Sequence, residues 1–244
     1  MLLNKLSEKV LYSLLLYVTE ESDYETMKVV LYGIGPTVLT FYHEAIKNGD
    51  WEIAAFCCAG EDMEATEYCN RPLVPFEDVE RLYPPETYSM LTLFGHKRMR
   101  DREDAFCAAK AKGYRLANYI SARANVEDGV VMGEGNVVCA FAHIGFDYHM
   151  GDGNIVRQNV YIGHQGSMGS HNIISPGVTI GGKCSLHDLS FIGLNATVLT
   201  YAEIGTECLI GAGSVVNKSA EPYSVTFGSP AKAARFHKET GVMF

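Results

Sequence analysis

Between Ile120 and Val216 an aliphatic side chain recurs at every sixth residue, seventeen times in succession and without an insertion. The series runs through Val138, Ile144, Met150, Val156, Ile162, Met168, Ile174 and Ile180 and on to Ile210. Glycine often follows, as at Gly145, Gly163, Gly181 and Gly193, and the residue four places on is mostly small or β-branched, as at Ala142, Val160, Val178 and Ala196. A period of six fits neither the stripe of a helix nor the alternation of a strand. It predicts a hexapeptide β-helix, in which three short strands close a triangular coil and the coils stack in parallel. The aliphatic residue fills the prism, and the small residues are expected where the chain bends. Such an interior needs no polar side chain.

Upstream the pattern changes. Lys28 to Tyr32 is a short apolar run that ends in Gly33-Ile34-Gly35. A helix is predicted from Pro36 to about Lys47, with Asn48-Gly49 as its stop. Trp51 to Cys58 and Tyr88 to Phe94 read as buried strands, the latter ending at Gly95, and a helix follows from about Arg100 to Lys112. Strands alternating with helices predict a small parallel α/β domain, Rossmann-like in plan, over residues 27–117. The β-helix then occupies 118–218, with no flexible linker between the two. Leu3, Leu6, Val10, Leu14 and Val18 recur at helical spacing and predict an amphipathic helix within 1–26. Its apolar stretch is too short to span a membrane, and no small-residue cleavage site follows. Residues 219–244 are expected to form a turn at Gly228-Ser229-Pro230-Ala231-Lys232 and a capping helix over Ala233 to Thr240.

Composition narrows the function classes. A net charge of −9 argues against a general nucleic-acid binder. Lys97, Arg98, Arg100 and Arg102 form the one basic cluster, which reads as a solvated face or as an anion site. Seven cysteines without a CxxC pair predict reduced thiols in a cytoplasmic protein.

The turn after the first strand offers backbone N–H groups and a helix N-terminus to an anion, which makes Gly35, Pro36 and Thr37 candidate substrate contacts, with Gly95 beside them. Gly33-x-Gly35 lacks the third glycine of the dinucleotide fingerprint, since Leu39 stands there, and Cys58, Ala59 and Gly60 supply no acid at the end of the second strand. A tight turn or another phosphate-bearing ligand is the better reading.

Five histidines fall in the β-helix: His143, His149, His164, His171 and His187. A solvent-facing position is the ordinary expectation for each. His164 opens a fresh coil after Ile162-Gly163. Residues eighteen apart stack at roughly 4.8 Å, which places Phe146 beneath His164 and Asp147 beneath Gln165. Asp147 would then orient the imidazole and raise its basicity if the corner turns it that way. A zinc site is the competing use, but the spacings differ from those of the hexapeptide-repeat carbonic anhydrases, and no metal is expected. No Ser-His-Asp or Cys-His arrangement is legible.

These motifs resemble the two-domain bacterial sugar acyltransferases, of the sialic acid O-acetyltransferase and bacillosamine-pathway N-acetyltransferase type. The resemblance runs from about Lys28 to Arg235. It is carried by Ile162-Gly163-His164, Ile174-Ser175-Pro176-Gly177, Ile192-Gly193-Leu194-Asn195-Ala196-Thr197-Val198, Ile210-Gly211-Ala212-Gly213-Ser214-Val215-Val216 and the closing Gly228-Ser229-Pro230-Ala231-Lys232. It implies a left-handed parallel β-helix, acetyl-CoA as cosubstrate, a sugar or nucleotide-sugar acceptor and a homotrimer with each site between two prisms. His164 would be the general base for direct attack of the acceptor on the thioester. Contacts to CoA would fall on Ile173, Leu194, Ala212 and Lys232. Three departures stand out: Gln165 replaces the acid that follows the histidine in nucleotide-sugar acetylators, Ile173 replaces a histidine, and Cys58-Ala59 replaces an aspartate pair. Arg157, in a slot usually held by a small residue, either reads an acceptor carboxylate or phosphate or is a plain surface arginine. Two rivals stay open, a non-catalytic trimeric scaffold and a metal-dependent hydratase of the carbonic anhydrase type.

Overall fold

Five strands and three helices precede the repeat in the structure, a computed structural model that describes residues 27–48, 51–94 and 97–243. The amphipathic helix expected within 1–26 and Gly95 lie outside the described residues. In chain order the elements are β1 (Lys28–Tyr32), α1 (Pro36–Asn48), β2 (Glu52–Cys58), β3 (Glu67–Tyr68), β4 (Arg71–Pro75), α2 (Val79–Leu82), β5 (Ser89–Thr92) and α3 (Arg100–Ala111). The sheet runs β3-β4-β2-β1-β5 and is parallel except for the β3–β4 hairpin. That hairpin escapes a reading of periodicity because β3 is only two residues long. It turns on Cys69 and Asn70, at φ 52° and 58°, the positive pair that a type I′ turn requires.

From Tyr119–Ile120 to Val215–Val216 the chain forms two-residue strands paired in parallel at a shift of eighteen residues, as in His143↔Tyr161 and Ile144↔Ile162. They assemble the three sheets of a left-handed parallel β-helix. The first face carries Val137, Ile155, Ile173 and Phe191, the second His143, Tyr161 and Thr179, and the third His149, Ser167 and Ser185. The inward aliphatic column is buried from Val138 onward. Ile120 is 43% exposed, because no described coil lies beneath the first one.

The bends are not where the small residues are. Left-handed φ recurs three places after the inward residue, at Phe141, Asp147, Asn159, Gln165, His171, Lys183 and Leu189 among others. The small residue one step further on points inward. Tyr148 occupies one such inward position, and its ring fits because Gly166 in the next coil has no Cβ to meet it.

The prism also has a polar spine. Asn136, Asn154 and Asn172 are fully buried and stack at eighteen-residue spacing above Asn118. Each Oδ1 accepts the backbone N–H of the residue one coil on, at 2.8 to 2.9 Å, and the side-chain amides donate to the Oδ1 below. The expectation of an interior without polar groups is therefore corrected. At this inner corner the backbone N–H lacks a ladder partner, and a buried donor must be paired.

The α/β layer lies on the first face. Phe41 of α1 and Trp51 meet Tyr119 edge-on, with centroids 4.8 Å and 5.5 Å apart, in one apolar cluster that runs from Val29 to Ile173. Glu44 of α1 accepts from the Ala140 N–H at 2.7 Å and from Gln158 Nε2 at 3.0 Å. Arg102 of α3 is buried and donates to the carbonyls of Phe94, Gly153 and His171 at 2.7, 2.6 and 3.4 Å. Arg100 pairs with the buried Glu207 at 3.0 Å. The basic cluster is thus neither a solvated face nor an anion site at these two residues, because both tie α3 to the prism.

After the repeat, Ser224–Gly228 and Ala231–Phe236 form an antiparallel hairpin that continues the first face. The expected capping helix over Ala233 to Thr240 is corrected to this strand. Ser224–Gly228 takes the sheet edge left by Leu209–Ile210, and its own free edge offers Ala231–Phe236 backbone partners that outweigh the helical tendency of Ala233 and Ala234. All seven cysteines are unpaired.

His171 is 6% exposed, against the expectation of a solvent-facing position. Burial and the adjacent Arg102 push its imidazole down to about 4, against the weaker pull of Asp152 and Asp188. A group whose native pKa is depressed contributes stability above its unfolded value of about 6.5, and that contribution is lost as the pH falls toward 4. Between about pH 7.5 and about pH 5 this residue costs about 2 kcal/mol. Urea unfolding at the two pH values is expected to show a smaller acid loss in His171→Asn, a residue that tolerates the φ of 61° here. Equal losses would show that His171 does not set the acid limb.

Candidate active site

Successive corners join the faces. Val156-Arg157-Gln158 leads from the first face to the second, and Ile162-Gly163-His164-Gln165 from the second to the third. His164 therefore stands on the edge between the second and third faces. Its ring lies flat on Phe146, with centroids 4.7 Å apart and planes within 1°, as the eighteen-residue stacking predicts. On the other side is Gly182, where a Cβ would come 3.0 Å from His164 Nε2. His164 Nδ1 is buried and has no hydrogen-bond partner among the described residues.

Asp147 does not reach this ring. Its backbone is in the left-handed region at φ 53°, and its carboxylate lies over Gly129 in the coil below, on the side away from His164. The corner conformation decides this, and eighteen-residue arithmetic carries no information about it.

The other candidates divide among several places. Leu194 and Ala212 are exposed and one coil apart on the edge between the first and second faces. Arg157 is on that same edge. Its Nε is buried without a partner, and the guanidinium makes no hydrogen bond or ion pair among the described residues. Ile173 faces outward on the first face but is buried beneath the α/β layer, so a CoA contact there is corrected: the layer already covers it. Lys232 is exposed on the closing hairpin opposite Phe227. Within one chain, then, His164 stands on a different edge from Arg157, Leu194 and Ala212.

In the turn after β1, Gly33 and Gly35 take φ of 129° and 106°, and a Cβ on Gly33 would press 3.0 Å from the Leu93 carbonyl oxygen. The Gly35 N–H is already taken by the Tyr68 hydroxyl at 3.0 Å. Pro36 is exposed and Thr37 half-buried at the start of α1.

Two features were missed in the sequence. His143 is stacked on Tyr161 at 4.8 Å and held in its plane by Asn125, 2.9 Å from Nδ1, with Glu127 3.7 Å from Nε2. The eighteen-residue register applied to His143 would have found Asn125 and Tyr161. A groove of about 510 Å³ also runs along the third face past His149, Ser167, Ser185, His187 and Asp188. It opens toward the corner between the third and first faces, at Gly151, Gly169 and His187, and includes no residue of the corner that carries His164. Among the described residues no three His, Cys, Asp or Glu side chains gather into a metal-ligand set, and no helix is long and apolar enough to cross a membrane.

No protein-family profile and no curated protein sequence matches the chain. Solved structures do. The chain is similar to PerB from Caulobacter crescentus, crystallised with CoA and GDP-perosamine, at 25% identity and a TM-score of 0.77 over 85% of this chain and 97% of that one. The fold is that of the bacterial hexapeptide-repeat sugar acyltransferases. The acetyltransferase domain of PglB from Neisseria gonorrhoeae, in complex with acetyl coenzyme A, shares it at 23% identity and a TM-score of 0.77, over 85% of this chain and 99% of that one. WeeI from Acinetobacter baumannii shares it at 20% identity and a TM-score of 0.66, over 85% and 100%. In each case this sugar-acyltransferase fold extends over most of the described chain, the small α/β layer as well as the prism.

Proposed function

We propose that the chain is an acetyl-CoA-dependent acetyltransferase that modifies an amine or hydroxyl of a sugar or nucleotide-linked sugar. The observation that carries this reading is the likeness to PerB over both layers, since that neighbour was crystallised with CoA and GDP-perosamine.

His164 is the general base in this reading. With Nδ1 buried, Nε2 is the nitrogen left to face an acceptor. It takes the proton as the acceptor oxygen or nitrogen attacks the thioester carbonyl. The tetrahedral intermediate then collapses, the carbon–sulfur bond breaks, and the CoA sulfur leaves and receives the proton. Base catalysis of this kind contributes roughly 10² to 10⁴-fold, and corner N–H groups are suited to steady the oxyanion.

CoA lies along the edge that carries Leu194 and Ala212 and reaches toward Lys232. Arg157, a guanidinium without a partner among the described residues, takes an anionic oxygen of the acceptor, and the turn at Gly35, Pro36 and Thr37 borders the acceptor site. Because His164 stands on another edge, one chain holds only part of this arrangement. A homotrimer, with the edge of one prism set against its neighbour, completes it.

Calorimetric titration with acetyl-CoA tests the reading first. Saturable binding at about one per chain is expected. No heat at millimolar ligand would overturn it in favour of a scaffold whose prism only assembles.

A further inference from the structure

Two histidines sit in ring stacks in the same pair of coils, and they are held differently. His143 on Tyr161 is fixed within its plane by Asn125 and Glu127. His164 on Phe146 has no in-plane partner for either nitrogen among the described residues. Both of its faces, however, are occupied. Phe146 covers one, and Gly182 brings its Cα against the other so closely that a Cβ would stand 3.0, 3.2 and 3.3 Å from Nε2, Cε1 and Cδ2.

The lower wall is itself anchored. The Phe146 N–H donates to Glu127 Oε2 at 3.2 Å, and its carbonyl accepts from the Gln165 N–H at 2.9 Å. Glu127 thereby serves both stacks. The upper wall is backbone, held in the coil by the Lys183 N–H bonded to the His164 carbonyl at 2.8 Å and the Tyr201 N–H bonded to the Gly182 carbonyl at 3.3 Å.

We propose that Phe146 and Gly182 are positioning residues: they form a slot that holds the His164 imidazole in one plane and presents its Nε2 edge to the acceptor, where a carboxylate would otherwise do so. Asp147, turned toward Gly129, takes no part. The slot fixes tilt through van der Waals contact alone, so it is sensitive to the thickness of both walls. Leucine at 146 replaces the flat ring of the lower wall with a branched, non-planar side chain. Alanine at 182 thickens the upper one, and since Gly182 is not among the positive-φ glycines the change is steric. The inference rests on His164 as the base.

Histidine-labelled protein separates the two claims. The His164 ring signals, assigned by their loss in His164→Ala, are expected to carry the ring-current shift of a parallel aromatic neighbour. They should move in both Phe146→Leu and Gly182→Ala and remain in Phe146→Tyr. With acetyl-CoA and GDP-perosamine as probe substrates, kcat is expected to fall about 10-fold in the first two variants, with KM for acetyl-CoA unchanged and Phe146→Tyr near wild type. Neither change should cost anything more in a His164→Ala background. Unmoved ring signals in Phe146→Leu and Gly182→Ala would overturn the slot, as would moved signals with an unchanged kcat. Unchanged turnover in His164→Ala would instead overturn the base assignment. Phe146 is 41% exposed, so its truncation is expected to leave the fold intact, which far-ultraviolet circular dichroism checks.

Discussion

His164→Ala is expected to lower acetyl transfer by at least roughly 10²-fold while acetyl-CoA still binds and the fold is kept. The effect falls on kcat, because the proton moves only as the acceptor attacks. Lost uniform binding would raise KM instead. Alanine removes both ring nitrogens, and no other described side chain can take over in place: Phe146 and Gly182 on either side carry no base, and the Asp147 carboxylate lies over Gly129. The structural cost is small, since the lost stack amounts to about 1 kcal/mol and His164 is half-buried on an edge. Steady-state kinetics beside a calorimetric titration with acetyl-CoA checks both halves. An unchanged rate would remove His164 from the chemistry and leave it as part of the stack.

The largest effect on stability is expected from Asn154→Ala, a loss of about 3 to 5 kcal/mol measured by urea unfolding. Asn154 is wholly buried, and its side chain makes four hydrogen bonds: Oδ1 accepts the Asn172 N–H and Nδ2 at 2.9 and 3.0 Å, and Nδ2 donates to Asn136 Oδ1 and the Gly169 carbonyl at 3.0 and 2.9 Å. Alanine leaves the buried donors of Asn172 and the Gly169 carbonyl with no replacement, and each orphaned group costs about 1 to 3 kcal/mol. Because the ladder is shared between coils, disturbance at Asn154 reaches the coils on both sides. Transfer activity per folded molecule should stay unchanged, since the ladder follows the corner between the third and first faces, away from the His164 edge. A loss below about 1 kcal/mol would mean that water enters the corner and pairs the exposed groups.

Much of the architecture was legible before any coordinates. A six-residue period admits few structures, and the placement of Phe146 beneath His164 follows from the coil length alone. The alternation upstream likewise located β1, α1, β2, β5 and α3 within a few residues. What the period could not carry was direction at the corners. The left-handed residue is fixed by backbone closure of the coil, and its side chain follows from that. Asp147 therefore points down to Gly129 although its sequence position suited an ion pair. The asparagine ladder was open to inspection at spacing eighteen, yet a search confined to aliphatic positions passes over it.

By itself the sequence determined the coil, its register and the residues that share a column, because a repeat interacts with its neighbours at a constant offset. Tertiary structure alone decided which faces remained free. Ile173 became core because the α/β layer lies on the first face, Arg102 lost its solvent because α3 brings it over Gly153, and Ala233 joined a strand because Ser224–Gly228, laid on the last prism strand, left an edge to pair. The physical reason is that contacts within a repeat are local and periodic, whereas covering a face requires apolar surface and hydrogen-bond partners from distant parts of the chain.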